Sequence, residues 1–461
     1  MNKFLKLTEP LGKYLIAAVL VIVPLFPKFP LLAIPGTYVA IRFEDLLLLA
    51  LGILTVIKII PDLKNFLKDE IVVAFLIFFA IGFLSLISGS FLTQTVNFHL
   101  GIFHWLRRIE YVLPFFAGLT LLAKEKVSEN LNFYIKLLLV VITLVFIYGI
   151  GQRYFNFPVI ITQNEEYSKG VALSWTPGSH INSTFAGHYD LASFIVLVLP
   201  ILLSLLFILK DKVSKAALAL ASGMGLWLLI VSLSRIGQIA YILAVGIAFI
   251  LLKKFKALAL IVIISLFFAG MSGSLDARFQ RIIDVIYLKL NISNVTSQVE
   301  KSFISNAQEI TLPGRRTDIA IPTPTPIPVF EDRSASIRIN VEWPRAIRAF
   351  VKDPIIGTGY SSIDLATDND FLRMLGETGI LGLFSFLLIF ARIGKLFIKE
   401  AFLLTKFKGV ELGFIAGLVG ATIGTFLIAT FIDIFEASKF ATIFWLLLGY
   451  GVYFLRNRKY A

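Results

Sequence analysis

The sequence predicts an all-α polytopic membrane protein with about 12 transmembrane helices and one long extracytoplasmic loop that itself contains helices. Three observations predict this class. The first is composition: of 461 residues, 57% are hydrophobic and only 16% charged, with a mean hydropathy of +0.84. A soluble domain of this size carries about 25% charged residues. The second is the recurrence of apolar runs of about 17–25 residues, each long enough to cross a bilayer as a helix. The third is the placement of the basic residues between those runs.

In chain order the runs fall near 14–33, 41–60, 71–91, 105–123, 132–152, 189–209, 216–234, 236–252, 257–273, 371–393, 409–432 and 438–455. The chain thus divides into spans one to nine at 1–273, a loop at 274–370, and spans ten to twelve at 371–461. The division of 216–252 into two spans is the least sharp. Seven short segments hold 23 of the 43 Lys and Arg: 1–13, 58–70, 124–136, 210–215, 253–256, 392–408 and 456–459. All lie on one side if the spans alternate. The positive-inside rule makes that side cytoplasmic, with both termini inside and the loop 274–370 outside. The net charge of +13 is explained by this topology, and no motif points to nucleic acid.

The composition also excludes chemistry. There is no cysteine, so disulfides, thiolate nucleophiles and Cys-based metal sites are ruled out. Four His (His99, His104, His180 and His188) do not suggest a three-His metal centre, and neither metal nor cofactor is expected. The first apolar run is followed by PKFP rather than a small-residue cleavage site, so no cleavable signal peptide is expected.

Within the outer loop the basic residues change type. The cytoplasmic segments use 20 Lys and three Arg, whereas 274–370 uses eight Arg and three Lys. Topology needs only positive charge. Arg adds a planar fork that binds phosphate in a bidentate way. Either this is ordinary Arg on a folded loop, or the outer face recognises a phosphate group. Residues 277–290 place Phe279, Ile282, Ile283 and Ile286 at helical spacing, as expected of a surface helix, and the Pro/Thr-rich 317–328 should be extended. Residues 334–352 return to helical periodicity, with Pro344 expected to kink that helix or start a new one.

The polar residues at the mouth of span ten stand out: Gly357, Gly359, Tyr360, Asp368, Asn369, Asp370, Arg373 and Glu377. Polar side chains at a membrane entry are costly without partners or a task. Asp368-Asn369-Asp370 reads either as a helix N-terminus with its cap or as a source of a general base. Arg235, between two apolar spans, either ends a helical hairpin or binds an anion at the membrane edge. His188 precedes span six with Asp190 two residues on, and Arg107 and Glu110 have the spacing of an intrahelical pair. The sequons at Asn182, Asn291 and Asn294 are weak signals. Gly376, Gly379 and Gly382 would allow close helix packing behind the mouth.

Four stretches in order carry a resemblance: STFAGHYDLASFIVLVLP at 183–200, LSRIGQIAYILAVG at 233–246, RINVEWPRAIRAFVKDPIIGTGYSS at 338–362, and DNDFLRMLGETGILG at 368–382. Together they resemble the O-antigen ligase-like superfamily, which comprises O-antigen and exopolysaccharide polymerases, lipopolysaccharide O-antigen ligases and protein O-oligosaccharyltransferases. The resemblance implies a GT-C-like membrane glycosyltransferase in the bacterial cytoplasmic (inner) membrane. Such an enzyme passes glycan from an undecaprenyl-diphosphate donor to an acceptor hydroxyl, inverting at the anomeric carbon without a metal. In the ligases two Arg bind the diphosphate and the His of a His-Asn pair activates the acceptor. Arg235 matches the first Arg, Arg338 the second with Arg345 in support, and Asn369 matches the Asn.

The sequence departs from the ligase pattern where the catalytic His is expected, since Asp368 stands there, and His188-Tyr189-Asp190 replaces the usual His-Pro-Asn. The Asp-Asn pair resembles the polymerase branch. The resemblance therefore implies a glycan polymerase with Asp368 or His188 as base, oriented by Asn369, and with Tyr360, Glu377 and Asp370 shaping the acceptor pocket. Its partners would be the lipid-linked donor, a glycan acceptor, the bilayer, and chain-length regulators or flippases. A ligase is the alternative within the family. A lipid-oligosaccharide flippase is the rival from another class, but it should show related halves and a long central cytoplasmic link, and 210–215 is short.

Overall fold

A computed structural model of the chain describes residues 2–28, 30–33, 40–122, 127–159, 174–270, 336–363, 366–401 and 407–457. Long helices dominate them. In order these are α1 (Asn2–Leu25), α2 (Phe43–Ile59), α3 (Glu70–Ile87), α4 (Phe98–Thr120), α5 (Val127–Tyr154), α6 (His188–Ile208), α7 (Lys212–Val231), α8 (Arg235–Leu251), α9 (Phe255–Gly270), α10 (Trp343–Lys352), α11 (Asp370–Ala401), α12 (Gly409–Ala429) and α13 (Ser438–Arg456). All but α10 fall on the predicted spans.

Among the described residues, eight segments are long and apolar enough to cross a membrane. They comprise α2, α3, α5, α6, α7, α11, α12 and α13 with their flanks. The chain is thus an all-α, multi-pass membrane protein, while a count of twelve crossings goes further than length and composition do. The reason is local: α8 and α9 are short apolar helices, and α4 carries Arg107, Arg108 and Glu110 in its middle. One element was not predicted, a two-stranded antiparallel ribbon of Pro30–Ala33 and Ala40–Arg42 between α1 and α2.

Short polar residues set the helix starts. Asp69 accepts from the amides of Ile71 (2.9 Å) and Val72 (3.3 Å) ahead of α3. Ser234 accepts from Gly237 (3.1 Å) and starts α8, which divides 212–251 into two helices. These bonds satisfy amides that have no partner within the helix.

The core is centred on α6, whose residues from Leu191 to Leu205 are all buried. It packs on α7, α8 and α12. Contact with α12 is backbone to backbone: a Cβ at Gly417 would fall 2.8 Å from the Ile201 nitrogen and the Pro200 oxygen. Close approach of this kind is how helices associate where lipid removes the hydrophobic drive. Every residue of α13 from Ser438 to Leu455 is buried too, and its Trp445 joins Phe75, Phe115, Phe386, Phe390 and Phe435 in an aromatic cluster.

Of the loop expected to face outward, 274–370, residues 274–335 and 364–365 lie outside the described residues. That removes the expected surface helix at 277–290, the extended 317–328, the Arg at 278, 281, 315, 316 and 333, and the sequons at Asn291 and Asn294. The described part supports the reading of Pro344. A π-helical turn, Arg338–Glu342, runs into α10 with Pro344 in its first turn. Proline has no amide to donate, so the regular ladder is interrupted there and a new helix begins. Asn182 is buried, so that sequon is not presented on the surface.

Candidate active site

The mouth is built on a broken helix. Inside α11, Gly379 adopts φ 65°, ψ −171°, which interrupts the helix that the sequence predicts as continuous over 371–393. Only glycine takes this conformation cheaply. The break frees carbonyls and amides, and the segment 354–359 uses them. Thr358 N donates to Gly376 O (3.0 Å), Gly359 N to Glu377 O (2.8 Å), Ile380 N to Pro354 O (2.9 Å) and Leu381 N to Ile355 O (3.2 Å). Ser85 Oγ from α3 also donates to Glu377 O (2.5 Å). The GTGY and GETGILG motifs are thus two halves of one hydrogen-bonded seam, which satisfies broken-helix backbone at membrane depth.

The Asp368-Asn369-Asp370 triplet is pinned above this seam. Asn369 Oδ1 accepts from Leu372 N (3.0 Å), so it is the N-cap of α11. Asp433, from the short connection between α12 and α13, accepts from Thr367 N (2.7 Å), Asn369 N (2.9 Å) and Arg373 Nη1 (3.1 Å). Clamped on both sides, Asp368 has φ 50°, a left-handed conformation that Asp tolerates better than most residues. Asp370 is buried and accepts from Ile434 N (2.8 Å) and Phe435 N (3.2 Å).

This clamp presents Asp368 to Arg338. Asp368 Oδ2 accepts from Arg338 Nε (2.9 Å) and lies 2.7 Å from its Nη2 in the same ion pair. Arg338 also reaches Tyr189 Oη (3.5 Å), with its guanidinium 5.7 Å from the Tyr189 ring centre. His188 lies against Tyr189, ring centres 4.0 Å apart, and is stacked on His180 at 3.9 Å. The structure thus joins Arg338, Asp368 and the His188 segment into one chain of contacts. Burial pushes the Asp368 carboxyl up, Asp433 adds to this, and Arg338 holds it back. Asp190 pairs with Lys28 (3.6 Å).

Of the residues predicted to shape the acceptor pocket, Tyr360, Glu377 and Asp370 are all buried. Glu377 sits among Arg373 (3.4 Å) and Arg108 (3.8 Å), and Glu436 also pairs with both arginines. Tyr360 lies under Arg108, 5.5 Å from its ring centre, and burial pushes its phenol up to about 12. The predicted Arg107–Glu110 pair is present at 2.9 Å, with Asp45 on the same nitrogen at 2.7 Å.

Arg235 occupies another corner. As the first residue of α8 it lines a cavity of about 180 Å³ with Gln238, Tyr241, Ser265 and apolar residues of α7, α8 and α9. Arg345 lies on α10, and its Nη1 is buried with no hydrogen-bond partner among the described residues. The same holds for Trp343 Nε1 and Glu342 Oε2 on the same turn. Burial, then the nearby Asp368 and Asp433, push the Glu342 carboxyl up to about 7 against Arg338 and Arg345. Among the described residues no three metal-ligating side chains come together in a way that could hold a metal ion.

Sequence reasoning missed Glu342, Asp433, Glu436, Arg108 and Tyr189. One signal was available for Asp433 and Glu436: they are acidic residues in a connection of only a few residues between two apolar spans.

No curated protein matches the chain. Residues 220–387 match the family model described as O-Antigen ligase, a stretch that includes Arg235, Arg338, Asp368 and Asn369. This match, over less than half of the chain, supports the likeness to the O-antigen ligase-like superfamily.

Proposed function

We propose that the chain is a glycan polymerase of the bacterial cytoplasmic membrane. It would transfer oligosaccharide from an undecaprenyl-diphosphate donor to a sugar hydroxyl of a lipid-linked acceptor at the outer face, with inversion. The observation that carries this reading is the forked Arg338–Asp368 pair within the matched O-antigen ligase region. Asp368 engages Nε and Nη2 of Arg338. Nη1 carries no hydrogen bond among the described residues and remains for an incoming anion. A guanidinium already oriented by a half-buried carboxylate costs little reorganisation when phosphate charge develops, a condition that favours electrostatic catalysis. Arg345, with its unpartnered Nη1, supports the diphosphate. Arg235 would meet it from the α8 corner, where the apolar cavity suits the first part of a lipid chain.

Asn369, as the cap, sets where Asp368 stands. Asp370, Tyr360 and Glu377 are read as the floor of the site rather than as acceptor contacts, because each is buried against partners of its own. His188 steadies Tyr189 and through it Arg338.

A ligase reading has one observation in its favour, the description of the matched family. Labelled lipid-linked repeat units given to the purified protein in a bilayer separate the two. A ladder of longer lipid-linked chains marks a polymerase, and transfer only to a distinct lipid or protein acceptor marks a ligase. No transfer at all would overturn the proposal.

A further inference from the structure

The reading above needs a group that takes the proton of the acceptor hydroxyl, and Asp368 is poorly placed to do so. Its Oδ2 is held in an ion pair by Arg338. A carboxylate held by a guanidinium is a weak base, and withdrawing it would disorganise the diphosphate site. One turn along the chain stands another carboxyl.

We propose that Glu342 accepts the proton of the acceptor hydroxyl, since its Oε2 is buried beside the Arg338–Asp368 pair with no hydrogen-bond partner among the described residues. The inference rests on the glycosyl-transfer reading of the same site. Glu342 ends the π-helical turn that Arg338 begins. A π-turn at this point changes which side chains share a face, and such turns frequently occur at functional sites. Trp343 Nε1, next in the chain, is a buried donor likewise without a partner. A sugar hydroxyl is the kind of group that would satisfy Glu342, because it can donate its proton to the carboxylate. An orphaned buried acceptor is costly, and a hydroxyl-bearing ligand would relieve it.

In the transfer step the hydroxyl oxygen forms a bond to the anomeric carbon. The bond from that carbon to the phosphate oxygen breaks, its electron pair leaves with the diphosphate, and the hydroxyl proton passes to Glu342. The charged groups facing Glu342 are Asp368, Arg338, Asp433 and Arg345. Burial and the two aspartates raise its carboxyl to about 7, against the two arginines. A general base is most effective with a pKa near the working pH. The carboxylate is the competent form, so transfer should rise as pH increases through about 7 and level off above it.

The test uses the full chain in bilayer nanodiscs with the lipid-linked oligosaccharide pool of the source cells, labelled in its sugar. Donor binding and transfer are both measured, between about pH 5 and pH 9. Glu342→Gln should keep donor binding and lower transfer by about 100-fold or more. Glu342→Asp should restore part of the rate with a shifted pH profile. Transfer by Glu342→Gln at the wild-type rate and with the wild-type pH dependence would overturn the assignment while leaving the diphosphate site standing. Failure of the wild-type protein to bind donor and transfer glycan would overturn the glycosyl-transfer reading, and this inference with it.

Discussion

Two regions of the molecule, the helical core and the mouth, are built in opposite ways. The α6–α12–α13 core is almost wholly apolar, and the chief charge in it is Lys439. This side chain is fully buried but satisfied, donating to Pro24 O (3.1 Å) and Thr184 O (2.6 Å) and lying over Phe185. The mouth formed by 338–377 and 433–436 is less deeply buried and fills its interior with charge: Arg338, Arg373, Asp370, Glu377, Asp433 and Arg108 in linked pairs. It also keeps polar atoms without partners at Glu342, Trp343 and Arg345. Each unpaired buried polar atom costs about 1–3 kcal/mol. The apolar core holds such atoms too, the hydroxyls of Ser204 and Thr442, but they are isolated, whereas the mouth gathers a carboxylate, an indole and a guanidinium within four consecutive residues.

That contrast can be broken by substitution. The largest effect belongs to Arg338→Ala, expected to lower glycan transfer by about 10²–10³-fold, as expected when a preorganised charge-stabilising group is lost. Arg338→Lys should recover little of it, since an ammonium cannot reproduce the fork that spans Asp368 and phosphate. Rates with labelled donor check both.

Next comes Asp433→Ala, which strips two backbone amides and Arg373 of a buried partner. It should cost about 3–5 kcal/mol, the scale of a broken buried ion pair, read as a lowered thermal midpoint in detergent.

The apolar region should respond differently. Gly417→Val forces a side chain into the α6 backbone and should cost about 1–3 kcal/mol by overpacking. The fraction that still folds should transfer glycan at the wild-type rate. Smallest of all is Glu70→Gln, which removes an exposed partner of Arg392 (2.8 Å) and Lys395 (3.7 Å). Its effect on the midpoint should correspond to less than about 1 kcal/mol.

The same contrast explains what the sequence could reveal. Helices of the apolar core are legible because each must present some twenty apolar residues in a row, a signal contained within one segment. The importance of 357–382 is legible for a related reason: glycines and charges crowd a place where apolar residues are the rule. Partnership is not legible. Asp433 clamps Asp368 from a position more than sixty residues away, and nothing in a lone Asp between two spans says which amides it accepts. Glu342 stands four residues after Arg338, a spacing that reads as an ordinary intrahelical pair. Only the π-turn and the competing Asp368 show that Arg338 is engaged elsewhere. In the sequence Gly379 reads as a packing glycine, and its positive φ, which breaks α11 and admits the 354–359 segment, follows from a tertiary contact.

The central claim is that Arg338, held by Asp368, receives the diphosphate of a lipid-linked glycan. The most direct measurement is release of free polyprenyl diphosphate from a labelled lipid-linked donor by the purified chain in nanodiscs, for the wild-type protein and for Arg338→Ala. The account predicts release in step with glycan transfer by the wild type, and loss of both in the variant while the protein remains folded. Undiminished release by Arg338→Ala, or no release by the wild type in the presence of donor and acceptor, would contradict it.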